Sequence, residues 1–215
     1  MTHRSPVGPH AGRPLLSWGA PLSAAKAAMI MVHGRGASAD DILGLAPELE
    51  ARDFAYLAPQ AAGHTWYPNR FLAPLESNEP GLSSALSVLA ALESQVTEGG
   101  IPPEALFFLG FSQGACLVLE YGARNARHFG GIIGLSGGLI GPDGTPRDYP
   151  GSLQGVPVFM GCSDVDPHIP RGRFLQSAEV LKGLGANVTA RLYPNMGHTV
   201  NEDEIDAVRS MVRRG

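Results

Sequence analysis

Residues 105–114 read Ala-Leu-Phe-Phe-Leu-Gly-Phe-Ser-Gln-Gly, and this stretch decides the fold. Its first five residues are apolar and typical of a buried strand, whereas the residues from Gln113 to about Ala126 have the pattern of a helix. The turn between them has the form Gly-x-Ser-x-Gly around Ser112. Such a turn is so sharp that side chains at its two glycine positions would collide with neighbouring groups, and it exposes the serine hydroxyl above the sheet. The stretch therefore predicts a strand, a strained turn and a helix, with Ser112 as a candidate nucleophile.

Strands and helices alternate on both sides of this unit. Short apolar runs predict strands over 28–32, 54–58, 131–135, 156–160 and 188–193, and a weaker run predicts one near 14–18. Helices are predicted to begin after the N-cap residues Ser38, Asn78 and Asn201, and a further helix is predicted over 173–183. Because the strands are apolar nearly throughout, we expect a mostly parallel sheet with helices on both faces. The sequence thus predicts an α/β fold without a large lid, in one domain over residues 14–215, preceded by a loose N-terminal arm, residues 1–13.

Composition limits the class of protein. The chain has 215 residues, 44 % of them hydrophobic, which is enough to bury the core of one α/β domain. The net charge of −4 and the absence of a basic stripe disfavour a nucleic-acid partner, and no apolar run is long enough to span a bilayer. Cys116 and Cys162 lie among apolar residues, which indicates buried thiols and a cytoplasmic location rather than a disulfide framework.

A serine nucleophile needs a base, and the base needs an acid that orients it. After this kind of turn the acid and then the histidine follow on loops at the ends of later strands. The loop after one later strand contains Asp164, Asp166 and His168, and the loop after the last strand contains His198. His198 is the preferred base because Gly197 allows a tight turn before it, whereas His168 lies only two residues from Asp166. The spacing leaves open which of the two aspartates is the acid.

Backbone N–H groups must hold the negative oxygen that forms when a serine attacks a carbonyl. One N–H is expected from Gln113 at the start of the helix, and the second from Arg35 in the His-Gly-Arg-Gly stretch after the first clear strand. A long irregular segment, residues 60–79, follows the next strand, and loops of this length are usually functional. Trp66 and Tyr67 within it are predicted to line the substrate cleft.

Four motifs follow one another along the chain: His33-Gly34-x-Gly36, Gly110-Phe111-Ser112-Gln113-Gly114, Asp166-Pro167-x-Ile169-Pro170 and Gly197-His198. Their order and spacing resemble the phospholipase/carboxylesterase family of small α/β-hydrolases, which includes the acyl-protein thioesterases, and the resemblance extends over about residues 14–213. It implies the α/β-hydrolase fold, Asp166 as the acid because the family's acid directly precedes proline, oxyanion donation by Arg35 and Gln113, no cofactor, and often a homodimer. The family commonly has an aliphatic residue where Arg35 and His168 stand, so the Arg35 side chain is expected to favour an acidic or polar substrate group.

These observations predict a serine carboxylesterase that hydrolyses small to medium carboxylic esters through an acyl-enzyme. The alternative is an acyl-protein thioesterase or lysophospholipase-type activity. Two other patterns, one for nucleotide binding and one for metal-dependent hydrolysis, compete with it. Residues 34–39 fit Gly-x-Gly-x-x-Ala, a dinucleotide-binding pattern, but no acidic residue ends the next strand. Asp164, Asp166 and His168 are potential metal ligands, but no second cluster supports a metal site. A catalytically silent binding module is disfavoured because Ser112, Asp166 and His198 are all present.

Overall fold

The structure, a computed structural model, describes residues 5–213 of the chain. Within them the strands are β1 Leu15–Gly19, β2 Ala27–Val32, β3 Phe54–Pro59, β4 Leu106–Phe111, β5 Gly131–Leu135, β6 Pro157–Ser163 and β7 Asn187–Tyr193. The α-helices are α1 Ala39–Leu43, α2 Gly81–Glu98, α3 Gln113–Arg124, α4 Arg171–Gly183 and α5 Glu202–Val212. The predicted alternation of strands and helices is confirmed.

All strands join one sheet in the order β1-β3-β2-β4-β5-β6-β7. Strand β1 pairs antiparallel with β3, and every other neighbouring pair is parallel. Successive residues of a strand point to opposite faces, so Phe108 belongs to one apolar cluster and Phe107 to the other. Helices α2, α3 and α4 cover the first face, and α1 and α5 cover the second, for example with Leu117 and Ile205 respectively. This arrangement confirms the predicted mostly parallel sheet with helices on both faces.

Two of the predicted N-cap residues, Ser38 and Asn78, have opposite outcomes in the structure. Ser38 does cap α1, because its hydroxyl accepts from the N–H of Asp41 and the Asp41 carboxylate accepts from the N–H of Ser38. The prediction that Asn78 caps α2 is wrong, since α2 begins at Gly81. Asn78 is buried, and its side chain accepts from the N–H of Asn69 and donates to the carbonyl of Arg70. Its polar groups hold the long segment before α2 and are not available to a helix end.

The N-terminal segment is held more tightly than a loose arm. Residues 1–4 of the predicted arm lie outside the described residues. In the remainder, His10 is only 4 % exposed, and its two ring nitrogens bond the Trp66 carbonyl at 2.8 Å and the Ala62 N–H at 3.0 Å. Its backbone N–H also donates to the Ser84 hydroxyl. Burial of His10 against the long segment after β3 therefore attaches residues 5–13 to the domain.

Parallel strands place the loops that follow them at a single edge of the sheet. The loops after β2, β4, β6 and β7 carry Arg35, Ser112, Asp166 and His198, in that order. These strands are neighbours or near neighbours in the sheet. The crevice outside the carboxyl ends of the strands is where α/β sheets usually bind ligands.

Candidate active site

Ser112 occupies the strained turn that the sequence predicts. Its backbone has φ 54° and ψ −115°, and its N–H donates to the Leu135 carbonyl of the neighbouring strand at 2.9 Å. A methyl group on Gly110 would overlap the backbone of Gly114, and one on Gly114 would overlap the carbonyl of Val32. Only glycine fits at both positions, because the strand and the helix approach each other closely here. The resulting sharp turn places the Ser112 side chain above the edge of the sheet.

A chain of hydrogen bonds connects Ser112, His198 and Asp166. His198 Nε2 lies 2.8 Å from Ser112 Oγ, and His198 Nδ1 lies 2.7 Å from Asp166 Oδ2. The Asp166 side chain is fully buried, whereas that of His198 is 19 % exposed. These three side chains come from loops that are 54 and 32 residues apart in sequence, and the sheet edge brings them together.

The carboxyl group of Asp166 is held in its ionised form. Its burial raises the pKa, but hydrogen bonds from His198 and from the backbone N–H groups of His168 and Ile169 outweigh this effect. The two N–H groups donate to Oδ1 at 2.8 and 2.9 Å, which leaves Oδ2 facing His198. The pKa of Asp166 is therefore below its ordinary value, and the carboxylate can hold the imidazole with the Nδ1 proton toward it.

Asp164, the other candidate acid, makes a different contact. Its Oδ1 accepts from the N–H of Asn195 at 2.8 Å, and its own N–H donates to the Tyr193 carbonyl at 3.1 Å. These bonds join the loop that carries Asp166 to the loop that carries His198. Asp164 thus positions the two loops relative to each other and does not contact the histidine ring.

His168 does not replace His198 but lies against it. Its ring is edge-on to the His198 ring, with the centroids 4.8 Å apart, and its side chain is exposed. The ring of Phe111 lies 5.0 Å from that of His198. Phe111 and His168 therefore both pack against the His198 ring.

Two backbone N–H groups beside Ser112 are unused. Within residues 5–213, the N–H groups of Arg35 and Gln113 donate to no protein acceptor, whereas the neighbouring Gly36 N–H donates to the His64 carbonyl at 2.8 Å. The His64 ring also bonds the Ala37 carbonyl at 2.8 Å. The loop after β2 is thus fixed by His64 on one side, and the two expected oxyanion donors remain available.

The Arg35 side chain has a role that the sequence did not reveal. In its guanidinium, Nη1 donates to the Pro68 carbonyl at 2.8 Å, and Nη2 donates to the carbonyls of Tyr67 at 2.9 Å and Asn69 at 2.6 Å. The side chain of Gln113 completes this connection, since its Nε2 donates to the Tyr67 carbonyl at 2.8 Å. Both residues expected to supply oxyanion N–H groups therefore also hold the segment that forms the cleft wall.

Trp66 and Tyr67 separate in the structure. Tyr67 lines the cleft, but Trp66 is fully buried behind it and is absent from the cleft wall. The Trp66 indole N–H donates to the His33 carbonyl at 2.9 Å, and its backbone N–H donates to the Gln113 side chain at 2.9 Å. Trp66 therefore packs beneath the site rather than facing a substrate, in contrast to the sequence expectation. His33, also buried, bonds the loop backbone through both ring nitrogens.

A cleft of about 600 Å³ opens above Ser112. Side chains that complete its wall are Arg70, Phe71, Cys116 and Ile169, none of which the sequence singled out as substrate contacts. A smaller cavity of about 440 Å³ shares Phe111 and His198 with the cleft and extends toward α1. The His198 side chain thus has open space on two sides.

The described part of the chain offers no site for a metal. Asp164 and Asp166 are engaged as above, and no group of three or more His, Cys, Asp or Glu side chains in residues 5–213 is arranged to hold an ion. None of the helices in the same residues combines the length and apolar character required to cross a membrane.

Comparison with known families gives a match over most of the chain. The family described as Phospholipase/Carboxylesterase matches residues 19–214. Among solved structures, the phospholipase/carboxylesterase from Dyadobacter fermentans superimposes with a TM-score of 0.92 at 40 % sequence identity, covering 96 % of this chain and 99 % of that one. Esterase PE8 superimposes with a TM-score of 0.77 at 26 % identity, covering 94 % and 97 % of the two chains.

Curated relatives match over shorter stretches. Acyl-protein thioesterase 1 of Gibberella zeae is 37 % identical over 128 residues, which are 57 % of this chain and 53 % of the relative. Acyl-protein thioesterase 1 of Saccharomyces cerevisiae is 28 % identical over 136 residues, 62 % of this chain and 60 % of the relative. The chain thus spans between half and two thirds of these relatives' length.

Proposed function

Because the chain belongs to the phospholipase/carboxylesterase family of α/β-hydrolases, we propose that it is a serine hydrolase that cleaves small to medium carboxylic esters through an acyl-enzyme. The observation that carries the proposal is the unbroken hydrogen-bonded chain from Ser112 through His198 to Asp166 at the floor of the cleft. Such a chain is the arrangement that activates a serine hydroxyl.

In the first half-reaction His198 Nε2 accepts the Ser112 proton as Oγ attacks the ester carbonyl. The negative charge on the carbonyl oxygen is stabilised by the free N–H groups of Arg35 and Gln113. Asp166 stabilises the imidazolium that forms and keeps its Nδ1 proton in place. His198 then gives its proton to the leaving alcohol, and the acyl group stays on Ser112.

In the second half-reaction water replaces the alcohol. His198 removes a proton from the water, which attacks the acyl carbonyl, and the same two N–H groups hold the oxyanion. Return of the proton to Ser112 Oγ releases the carboxylic acid and regenerates the site. Side chains, backbone N–H groups and water supply every group that these steps use, so the proposed reaction requires no cofactor.

The test is hydrolysis of p-nitrophenyl acetate by the wild type and by Ser112→Ala, with Ser210→Ala as the control. Ser210 is exposed on α5, where its hydroxyl donates to the Asp206 carbonyl, and it lines neither the cleft nor the smaller cavity. We expect Ser112→Ala to lose turnover and also labelling by a fluorophosphonate probe, while Ser210→Ala keeps both. Wild-type turnover in Ser112→Ala would refute the mechanism.

Thioester cleavage is a second candidate because the fungal relatives are named acyl-protein thioesterases. A thiolate is a good leaving group, so the same three side chains would serve both reactions. Matched acyl esters and thioesters of increasing chain length distinguish the two. A higher kcat/KM for long-chain thioesters than for short esters would favour the thioesterase.

Three further features belong to the proposal. We propose a small-molecule ester as the partner, with no nucleic acid, and a cytoplasmic location. The two cysteines are free and buried, and burial raises the pKa of Cys116 and of Cys162 to about 12, so neither is a reactive thiol. A homodimer is proposed from the family resemblance, and light scattering on the purified protein tests it.

A further inference from the structure

We propose that the cleft binds esters that carry an anionic group near the scissile bond, and that Arg70 is the residue that binds this group. The inference rests on the proposed esterase function and adds a substrate class to it. It depends on which charged side chains line the cleft, on which of them are already engaged, and on how the backbone of Arg70 is held.

Charges around Ser112 are distributed unevenly. Among the described residues that line the cleft are the side chains of Arg35 and Arg70 but no aspartate or glutamate. The nearby carboxylate of Asp166 has no exposed surface and faces His198. The smaller cavity on the other side of His198 is lined by Asp41. In a chain with a net charge of −4, the larger cleft is thus an electropositive region next to the reacting serine.

The two arginines differ in what their guanidinium groups already bind. Arg35 donates three hydrogen bonds to backbone carbonyls and is committed to the cleft wall. Arg70 is exposed and has one long contact, Nη2 to the His168 carbonyl at 3.5 Å. By contrast, the buried arginine Arg173 pairs with Asp143. Within residues 5–213 no carboxylate pairs with Arg70, so its guanidinium is available to a ligand.

The backbone of Arg70 is fixed, although its guanidinium makes only one long contact. Its carbonyl accepts from the buried Asn78 side chain at 3.1 Å and from the Ala73 N–H at 3.0 Å. Asn78 also bonds the N–H of Asn69, immediately before Arg70. The arginine therefore projects from a rigid wall, and a ligand that pairs with it need not order the loop.

A guanidinium favours a carboxylate or a phosphate, which it binds through two parallel N–H donors. Because the site is partly exposed, we expect a preference of about tenfold in kcat/KM for an anionic over a matched neutral ester. Salt screens exposed charges, so the preference should fall as the ionic strength rises. The Arg35 charge adds to the potential but has few donors left for direct contact.

The experiment compares two pairs of esters. In one pair the carboxylate is on the alcohol side, para-acetoxybenzoate against neutral para-acetoxybenzamide. In the other it is on the acyl side, p-nitrophenyl hydrogen adipate against p-nitrophenyl hexanoate. The anionic-to-neutral ratio of kcat/KM is measured for the wild type, Arg70→Gln, Arg70→Lys and the control Arg52→Gln. Arg52 is exposed and lies outside both cavities.

We expect the wild type and Arg52→Gln to prefer one anionic ester, Arg70→Gln to lose the preference, and Arg70→Lys to keep part of it. The pair that shows the effect identifies the side of the ester that faces Arg70. Comparing ratios between variants removes differences in the intrinsic reactivity of the esters. A ratio in Arg70→Gln that equals the wild-type ratio for both pairs would overturn this inference while the esterase function stands. If the wild type hydrolysed none of the four esters, both this inference and the proposed esterase function would be overturned.

Discussion

Replacement of Asp166 by asparagine tests how the structure selects the tautomer of His198. The backbone N–H groups of His168 and Ile169 both point at Oδ1. An asparagine must keep its oxygen at that position, because turning the amide over would lose two hydrogen bonds and cost on the order of 2–6 kcal/mol. The amide NH₂ group therefore faces His198 Nδ1.

This orientation reverses the proton arrangement of the imidazole. Nδ1 must then accept from the amide, so the ring proton moves to Nε2, which faces Ser112 Oγ at 2.8 Å. A protonated Nε2 cannot remove the serine proton. The expected loss of kcat is on the order of 10⁴-fold, equivalent to about 5.5 kcal/mol of transition-state stabilisation.

The assay is p-nitrophenyl acetate hydrolysis near neutral pH, with thermal unfolding as a check on the fold. Asp164→Asn is the matched control because the amide oxygen can still accept from the Asn195 N–H. We expect that variant to lose less than about tenfold in activity. The reasoning would be refuted if Asp166→Asn kept more than about a tenth of the activity, or if Asp164→Asn were the more damaging change.

Three further predictions concern stability. Burial raises the pKa of Glu204 to about 7, above its ordinary value of 4.5, so the folded state binds its proton more tightly and stability falls as pH rises from 4.5 to 7. Glu204→Gln should abolish this fall, which amounts to up to about 3 kcal/mol in the free energy of unfolding at pH 8, measured by denaturant titration. Equal pH dependence of stability in both proteins would contradict this. Arg35→Leu removes the donor to the Pro68 and Asn69 carbonyls, while the Tyr67 carbonyl keeps its bond from Gln113, and should cost about 1–2 kcal/mol in the same assay, with Arg35→Lys intermediate; unchanged stability would show that the loop does not need these bonds. Gly114→Ala forces a methyl group into the Val32 carbonyl and should abolish stable folding, seen as loss of cooperative unfolding, whereas a stable Gly114→Ala protein would show that the turn can open.

Local pattern was enough to predict most of the fold. Strands buried on both faces are apolar in sequence. The turn around Ser112 has no room for side chains at its two glycine positions, so the five-residue motif is enough to predict it. The capping boxes of Ser38 and Asn201 are also local. Asn78 shows the limit of such rules. It is a residue type that favours N-caps, but its side chain forms hydrogen bonds with Asn69 and Arg70 instead of capping α2.

The sequence by itself determined the succession of strands and helices along the chain, the turn at Ser112 and the residue types of the site. It did so because these depend on spacing and on backbone sterics. Only the tertiary structure decided which side chains face the cleft. Trp66 and Tyr67 are adjacent in sequence, yet only Tyr67 lines the cleft. Arg35 donates to the carbonyls of a segment 32 to 34 residues away, whereas Arg70 makes only one long contact, to the His168 carbonyl. The availability of a charged side chain depends on partners distant in sequence, which no local pattern contains.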